Sequence, residues 1–208
     1  MEDVLDVYQR PLDPARPLVC LDETSRQLLA DTREPLPVAP GQPARHDPEY
    51  VRGGVVNCFL VTAPLQGWRD VQVSDHRTRL DWAHCVRDLV ETHFPDAAKV
   101  VLVLDQLNTH TPASLYAAFP PTEAKRIADK LEIHYTPKHG SWLNMAEIEL
   151  SVLQRQCLGQ RFADRCTMEQ AVAAWVAARN ATASGIDWQF TTDDARIKLT
   201  RLYPAFEP

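Results

Sequence analysis

The sequence predicts an α/β protein in which helices flank a mixed β-sheet. Strand-like segments fill the first part of the chain, whereas helices and strands alternate in the second part. That alternation is typical of sheets whose parallel strands are connected through helices. The segment KVVLVLD at 99–105 is apolar on both faces, which indicates a strand in the middle of the sheet. At 208 residues the chain can bury a substantial core in one domain or, at most, two.

The first part of the chain predicts β-structure separated by loops. Residues 1–16 are polar and lead into a cluster of prolines, so we interpret them as a linker-like segment before one domain at 17–208. RPLVCLDE at 16–23 predicts the first strand, and RQLLAD at 26–31 is its candidate hairpin partner. Residues 32–54 are rich in proline and glycine, and they predict a long loop.

The rest of the chain carries clear periodic patterns. WRDVQVSD at 68–75 alternates as a half-buried strand does, and residues 78–93 show helical spacing until Pro95 ends it. Residues 112–130 fit one or two helices. After the long loop, the predicted elements are strands at 55–64, 68–75, 99–105 and 131–136, and helices at 78–93, 112–130, 143–158 and 167–182.

The composition narrows the class of protein. Apolar residues make up 45% of the chain and charged residues 24%, as in ordinary globular domains. No apolar run is long enough to span a membrane, so we expect no membrane partner. The N-terminus MEDVLDVYQR lacks the apolar region of a secretory signal, and the five cysteines form no CxxC pair. We therefore expect a cytoplasmic protein with buried free thiols.

The formal net charge of −6 bears on nucleic-acid binding. It argues against an autonomous DNA-binding module, because such modules are usually basic. It does not argue against an enzyme that acts on nucleic acid, since such an enzyme needs carboxylates to hold metal ions. Another domain can then supply the phosphate contacts.

Three acidic residues stand out by their positions. Asp22 and Asp105 end the apolar runs of two predicted strands, and Glu147 lies beside the apolar stripe of the helix at 143–158. Each has an ordinary explanation. Aspartate often begins a turn, and a glutamate at the edge of a buried helix face often pairs with a basic side chain. Two aspartates at the ends of neighbouring parallel strands, however, would repel each other unless a cation lay between them.

If these three carboxylates meet at one edge of the sheet, they form a site for a hard cation. Oxygen ligands of this kind suit Mg²⁺ or Mn²⁺. Two ions about 4 Å apart can activate a water or a 3′-hydroxyl and stabilise the leaving oxygen in phosphoryl transfer. The sequence therefore predicts Asp22, Asp105 and Glu147 as catalytic, metal-binding residues.

Three blocks of the sequence resemble those of one enzyme family. VCLDET, VLVLDQLNTH and HYTPKHGSWLNMAEIE are similar, in order and in context, to the catalytic blocks of DDE transposases of the Tc/mariner superfamily, in its bacterial insertion-sequence branch. The resemblance covers nearly the whole chain, and MEDVLDVYQRPLDPARP resembles the family's linker. Carried over by position, the catalytic triad is Asp22, Asp105 and Glu147.

The resemblance implies a ribonuclease H-like fold, with a mixed five-stranded sheet flanked by helices. It implies a metal-dependent DNA transposase that cleaves transposon ends and transfers 3′-OH strands to target DNA, using two Mg²⁺ or Mn²⁺ ions. Its partners would be DNA, a second copy of the chain in a homodimer or larger assembly, and a separate helix-turn-helix segment that recognises DNA. Its location would be the nucleoid in a bacterial cytoplasm.

Some features depart from the family pattern. Gln106 follows the second aspartate where the family commonly has asparagine, and the separation of Asp105 and Glu147 is longer than usual. The family carries helix-turn-helix domains upstream of its linker, and this sequence begins in the linker-like segment. The alternative interpretation is therefore a catalytically inactive transposase remnant that acts as a binding or regulatory partner.

Further polar residues lie close to the three acids in sequence. Asn108 and His110 could brace Asp105 or contact a scissile phosphate, or could equally form a turn that caps the next helix. Asn144 lies one turn before Glu147 and could support it. Candidate DNA contacts are basic residues of loops and strands, although basic side chains scattered over a protein surface are common. They are Arg45, Arg52, Lys138 and His139.

Overall fold

The computed structural model describes residues 1–34, 37–43 and 48–203. One sheet of five strands forms its centre: β1 (Leu18–Asp31), β2 (Tyr50–Ala63), β3 (Trp68–Ser74), β4 (Val100–Leu104) and β5 (Leu131–Tyr135). Their spatial order is β3-β2-β1-β4-β5. β2 pairs antiparallel with both β1 and β3, whereas β4 pairs in parallel with both β1 and β5. The sheet is therefore mixed and five-stranded, as predicted.

Helices cover both faces of this sheet. Within the described ranges they are α1 (Glu2–Tyr8), α2 (Arg79–Asp88), α3 (Pro112–Ala118), α4 (Pro121–Asp129), α5 (Ala146–Gln156), α6 (Arg165–Ala181) and α7 (Thr192–Lys198). α2 begins with a capping box between Thr78 and Asp81, and a π-helical turn at Leu89–His93 continues it. No helix in the described part of the chain has both the length and the apolar character needed to cross a membrane.

Alternation along the strands divides the core into two clusters, one on each face. On β1, Leu18 and Cys20 join a cluster with α1, α5 and α6, whereas Val19 and Leu21 join a cluster with α2, α3 and α4. All five residues of β4 are buried between the two clusters. The prediction that this strand lies inside the sheet is therefore confirmed.

The first strand differs from the prediction. Residues 16–23 and 26–31 do not form a hairpin, because β1 runs through both segments without a turn and pairs antiparallel with β2. The intervening Thr24 and Ser25 are compatible with a strand, and Ser25 donates a hydrogen bond to Oδ1 of Asn57 across the ladder. The predicted loop also ends early, since β2 already begins at Tyr50.

The N-terminal segment, which the sequence indicates as linker-like, contains helix α1. This helix buries four side chains against the first cluster, namely Val4, Leu5, Val7 and Tyr8. Their spacing places them on one side of a helix, but the helix is too short for the pattern to stand out among its polar neighbours. The division of the chain at residue 17 stays a prediction.

Helix α7 near the C-terminus was not predicted. Its sequence TDDARIK has little apolar periodicity, so the signal for it lies in the capping box formed by Thr191 and Asp194. Arg196 pairs with Glu2 at 2.8 Å, which joins α7 to α1. The two ends of the described chain therefore pack against each other.

All five cysteines are free, but they are not all buried. Cys166 is exposed in the first turn of α6, so the prediction of five buried thiols is wrong at this position. Burial raises the pKa of Cys20 and of Cys58 to about 12, which keeps these two thiols protonated.

A buried ion pair connects β3 with two helices. Arg69 of β3 and Glu149 of α5 have side chains that are 1% and 2% exposed, with Nε and Oε2 3.4 Å apart. Arg179 of α6 donates from Nη2 to Oε1 of the same glutamate at 2.8 Å. The remaining donors of Arg69 contact Asn180 and the carbonyl oxygen of Ser184. This cluster fixes α5 relative to the sheet.

A surface network fastens the N-terminal segment to β5. Glu132 accepts hydrogen bonds from Arg10 at 2.6 Å and from Arg16, and it lies 3.1 Å from Nε2 of His134. His134 in turn contacts Asp3 through Nδ1 at 2.8 Å. The Arg10 hydrogen bond is the main reason why the pKa of Glu132 is lowered to about 2.

This network predicts a specific pH dependence of stability. Because the pKa of Glu132 is below its ordinary value of 4.5, its contribution is complete above pH 4.5 and is lost as the pH falls through about 2. Solvent screening limits that contribution to about 1 kcal/mol. We expect Glu132→Gln to lower the free energy of unfolding in urea by about this amount at pH 7 and by less at pH 3. Equal losses at both values would contradict the assignment.

Candidate functional site

Asp22 and Asp105 lie at the same level of the sheet. In the parallel pairing of β1 with β4, Cys20 is opposite Val103. Asp22 is two residues beyond Cys20, and Asp105 is two residues beyond Val103. Both aspartates therefore stand at the carboxyl end of the β1–β4 pair, on the face that carries the first core cluster.

Helix α5 brings the third acid to this edge. Its Ala146 and Leu153 are buried in the first cluster, and the helix packs against β1 and β2. Glu147 is in the first turn and is half-buried. Its charge and that of Asp105 both raise the pKa of Asp22, so the three carboxylates share one electrostatic environment.

Asp22 has a strongly raised pKa. Burial is the main cause that raises its pKa to about 7, and the neighbouring charges of Glu23, Asp105 and Glu147 add to the shift. The backbone N–H of Glu23 donates to Oδ1 at 2.8 Å and opposes this change. A positive counter-charge would therefore stabilise the ionised form of Asp22.

Asn144 contacts Asp22 through its side chain and Glu147 through its backbone, where its carbonyl oxygen accepts from the N–H of Glu147 at 3.0 Å. Its Nδ2 donates to the carbonyl oxygen of Leu21 at 2.8 Å and lies 3.4 Å from Oδ2 of Asp22. Its Oδ1 accepts from the N–H of Ala146 at 3.1 Å at the start of α5. Asn144 thus bridges the end of β1 and the start of the helix that carries Glu147, and its predicted support of Glu147 stays a prediction.

Helix α1 also reaches this region. The hydroxyl of Tyr8 donates to the carbonyl oxygen of Leu143 at 2.7 Å, and the N–H of Met145 donates to the same hydroxyl at 3.4 Å. These two residues flank Asn144. The Tyr8 ring also packs against Trp188, with centroids 5.2 Å apart. The N-terminal helix therefore holds the loop that positions Asn144 and the start of α5.

Asp105 is bound to a buried histidine. Nδ1 of His110 is 2.6 Å from Oδ1 of Asp105, while Nε2 is 3.3 Å from Oε2 of Glu23. Although burial acts in the opposite direction, these carboxylates raise the pKa of His110 to about 9. Burial would raise the pKa of Asp105, but the hydrogen bond and charge of His110, the N–H of Leu107 and the charge of Arg77 together lower it. The ring therefore lies between two carboxylates that both favour its protonated form.

An open cavity of about 310 Å³ lies beside Asp105. Lys138 and His139 line it and are both exposed, so the structure brings these two predicted DNA contacts to the edge that bears the acids. His139 has a φ of 63°, in the left-handed region that non-glycine residues rarely adopt. Such strained positions are concentrated at functional sites, where the surrounding structure holds them.

The other predicted residues lie differently. Asn108 is exposed in the turn after Asp105 and makes no hydrogen bond to the described residues, so a brace on Asp105 is not seen there. Arg52 is exposed on β2, where its guanidinium lies over the ring of Tyr50 at 5.9 Å, and it does not line the cavity. Arg45 lies outside the described residues.

Within residues 1–34, 37–43 and 48–203, no three histidine, cysteine, aspartate or glutamate side chains are close enough together to enclose a metal ion. Asp22, Asp105 and Glu147 share one edge of the sheet without forming a closed ligand set.

The sequence interpretation missed two residues of this region. Glu23 follows Asp22 directly in VCLDET, but its role depends on a contact with His110, far away in the sequence. Tyr8 lies in a segment interpreted as linker-like, and its hydrogen-bond partner is 135 residues away. The available signals were the second acid next to Asp22 and the single tyrosine in an otherwise polar, acidic segment.

Solved structures of the Mos1 mariner transposase have a similar fold. The paired end complex with Mn matches with 17% identity and a TM-score of 0.59, covering 87% of this chain and 54% of that chain. The Strand Transfer Complex matches with 16% identity and a TM-score of 0.59, covering 87% and 53%. The paired end complex with Mg matches with 17% identity and a TM-score of 0.50, covering 87% and 56%. The chain thus spans about half the length of these proteins, and the ribonuclease H-like fold is confirmed.

Sequence comparison gives the family. No match was found among curated protein sequences. The model of the family described as DDE superfamily endonuclease matches residues 17–169, which include all three acids and all five strands of the sheet. The bacterial branch within the predicted superfamily stays a prediction. Because this match extends over more than half of the sequence, the chain belongs to the DDE superfamily endonucleases.

Proposed function

We propose that this chain is the catalytic domain of a DNA transposase that cleaves transposon ends and transfers 3′-OH strands to target DNA. The observation that carries the proposal is the meeting of Asp22, Asp105 and Glu147 at one edge of a ribonuclease H-like sheet. The similar structures support it, because their titles describe paired-end and strand-transfer complexes of a mariner transposase.

The chemistry of the residues at this edge suits Mg²⁺ or Mn²⁺, and binding of the ions would draw the three carboxylates into one ligand set. Asp22, Asp105 and Glu147 offer the hard oxygen ligands that these cations prefer, and two ions would be held. The raised pKa of Asp22 reflects burial and repulsion among carboxylates, which a cation would relieve. When bound, the ions supply Lewis-acid activation of the attacking hydroxyl and of the leaving oxygen.

The residues of the site would have different roles in binding and orienting the metal ions. Asp22 would hold metal together with Asp105 and Glu147, because the charges of both acids act on its carboxyl group. Asn144 orients Asp22 through its hydrogen bonds, and His110 orients Asp105. Glu147 would bind one ion and help to orient the nucleophile. Each role follows from a position in the site and stays a proposal.

Lys138 and His139 are the proposed contacts for the DNA backbone near the acids. They are exposed beside Asp105, where a phosphate entering the cavity would meet them. Arg52 would contact DNA farther along the β1–β2 ribbon, and the prediction for Arg45 is unchanged. Because the net charge of the chain is −6, attraction of the DNA backbone would be limited to the surface around these basic residues and would not extend over the whole domain.

The assembly proposed around this domain is a homodimer or larger complex on DNA. A separate helix-turn-helix segment would recognise the transposon ends, and the complex would act at the nucleoid of a bacterial cytoplasm. The alternative, a catalytically inactive remnant with a binding or regulatory role, would keep the fold but would not need to bind metal. Metal binding therefore separates the two proposals.

The test is a titration of Mn²⁺ followed by electron paramagnetic resonance, with a DNA duplex present. We expect the wild-type chain to bind Mn²⁺ and Asp22→Asn to weaken binding at least about tenfold, because it removes a charged ligand. Asp187→Asn, which changes an exposed aspartate, is the matched control. Equal binding by wild type and Asp22→Asn, or no binding by either, would refute the proposed metal site.

A further inference from the structure

Glu23 is a buried carboxylate outside the predicted triad. Alternation along β1 directs it to the opposite face from Asp22, and its side chain is 5% exposed. Its Oε2 is buried and makes no well-aligned hydrogen bond within the described part of the chain, while Nε2 of His110 lies 3.3 Å away. A carboxylate removed from water in this way is costly unless a positive charge faces it.

His110 is held on several sides. The backbone N–H of His110 donates to the carbonyl oxygen of Leu107 at 2.9 Å, and the backbone carbonyl oxygen of His110 accepts from the hydroxyl of Tyr135 at 2.8 Å. Its ring stacks on that of Trp82, with centroids 5.8 Å apart and an interplanar angle of 22°. The side chain is 2% exposed. The backbone of His110 and one face of its ring are therefore fixed. The orientation of the ring within its plane then depends on the contacts of its two nitrogens.

We propose that Glu23 is a positioning residue that acts through His110 on Asp105. By attracting Nε2, Glu23 holds the imidazole so that Nδ1–H is directed at Oδ1 of Asp105, and the other carboxylate oxygen is left for a cation. Partners behind a metal ligand commonly fix its orientation in this manner. This inference rests on the proposed function, because it assigns Glu23 a task only if Asp105 binds metal.

A direct effect of charge is the competing explanation. Glu23 is adjacent to Asp22 and its charge raises the pKa of that carboxyl, so its removal could change metal binding without His110. A double-mutant cycle separates the two routes. If Glu23 acts through the imidazole, its replacement has no further effect once His110 is gone, whereas a direct charge effect persists.

The experiment measures the dissociation constant of Mn²⁺ by electron paramagnetic resonance, with the same DNA duplex, for Glu23→Gln, His110→Gln and the double variant. We expect Glu23→Gln alone to weaken binding about tenfold, the lower end of the range for partners of metal ligands. In the His110→Gln background it should change binding less than about twofold. Glu169→Gln is the control, since Glu169 forms an exposed pair with Arg165.

A second readout needs neither metal nor activity. The ¹⁵N spectrum of histidine-labelled, metal-free wild-type protein should show hydrogen-bonded protons on both ring nitrogens of His110, and Glu23→Gln should shift the Nε2 signal. The wild-type spectrum tests the contact even if the variant does not fold. A ring with no hydrogen-bonded proton on Nε2 would overturn the proposal.

The remaining outcomes are also decisive. Unchanged Mn²⁺ affinity in Glu23→Gln, or an equal loss in both backgrounds, would overturn the positioning role. In either case Asp105→Asn shows whether the metal site itself exists. If Asp105→Asn weakens Mn²⁺ binding, only the inference about Glu23 fails; if it does not, the proposed function fails as well.

Discussion

Asp105→Ala is expected to reduce Mn²⁺-dependent nicking of supercoiled plasmid by at least about 1,000-fold, equivalent to about 4 kcal/mol of transition-state stabilisation. The substitution removes a carboxylate from the edge where β1 and β4 end, and it leaves the His110 ring without its closer partner. A metal held by the remaining acids would be displaced from the position needed for in-line transfer. Plasmid nicking suits this test because it requires no knowledge of a transposon-end sequence.

The fold should survive this change. Asp105 follows β4 and is partly exposed, so its loss creates no cavity in either core cluster. Circular dichroism and urea unfolding should therefore resemble those of the wild type. Asp129→Ala is the matched control, because the side chain of Asp129 is exposed and pairs with Lys125 across one helical turn. Nicking by folded Asp105→Ala at the wild-type rate would remove Asp105 from the catalytic site.

Glu149→Leu is expected to lower the free energy of unfolding by about 3 to 5 kcal/mol. It leaves the guanidinium of Arg69, whose side chain is 1% exposed, without its counter-charge in the interior. Arg179 is more exposed and can turn toward water, so most of the loss arises from Arg69. Urea denaturation measures this change, with the denaturant slope checked for constancy.

The matched control for this prediction is the double variant Arg69→Met with Glu149→Leu. Removing both charges avoids an uncompensated buried ion, so the double variant should recover at least about half of the lost stability. The recovery is incomplete because Arg69 also donates to the carbonyl oxygen of Ser184. A cost below about 1 kcal/mol for Glu149→Leu alone would mean that Arg69 reaches water when its partner is removed.

The sheet could be predicted from sequence because its pattern is local. The VVLVL segment is apolar on both faces, which indicated an interior strand. Alternation in LVCLD placed Asp22 and Leu21 on opposite faces of the sheet. The break inside β1 was predicted wrongly, because polar residues in the middle of a strand look like a turn unless the partner strand is known. Ser25 is satisfied by Asn57, which the sequence alone does not pair with it.

The three acids could be predicted because each lies at the end of a strand or beside the apolar stripe of a helix, and both kinds of element are recognisable in the sequence. Their supporting contacts could not be predicted in the same way, because they join residues distant in sequence. Asn144 was expected to serve the acid on its own helix, and its side-chain amide also reaches the end of β1. The connection from Glu23 through His110 to Asp105 likewise depends on the parallel pairing of β1 with β4.

Helix α1 sets a limit on how far the chain can be shortened. The family match begins at residue 17, yet Tyr8 caps the loop before α5, and the helix covers apolar side chains such as Leu18 and Cys20. A version trimmed to the matched region would expose that surface and leave the carbonyl oxygen of Leu143 without its donor. The minimal folding unit is therefore larger than the stretch that identifies the family, and N-terminal fusions or tags should attach before Glu2.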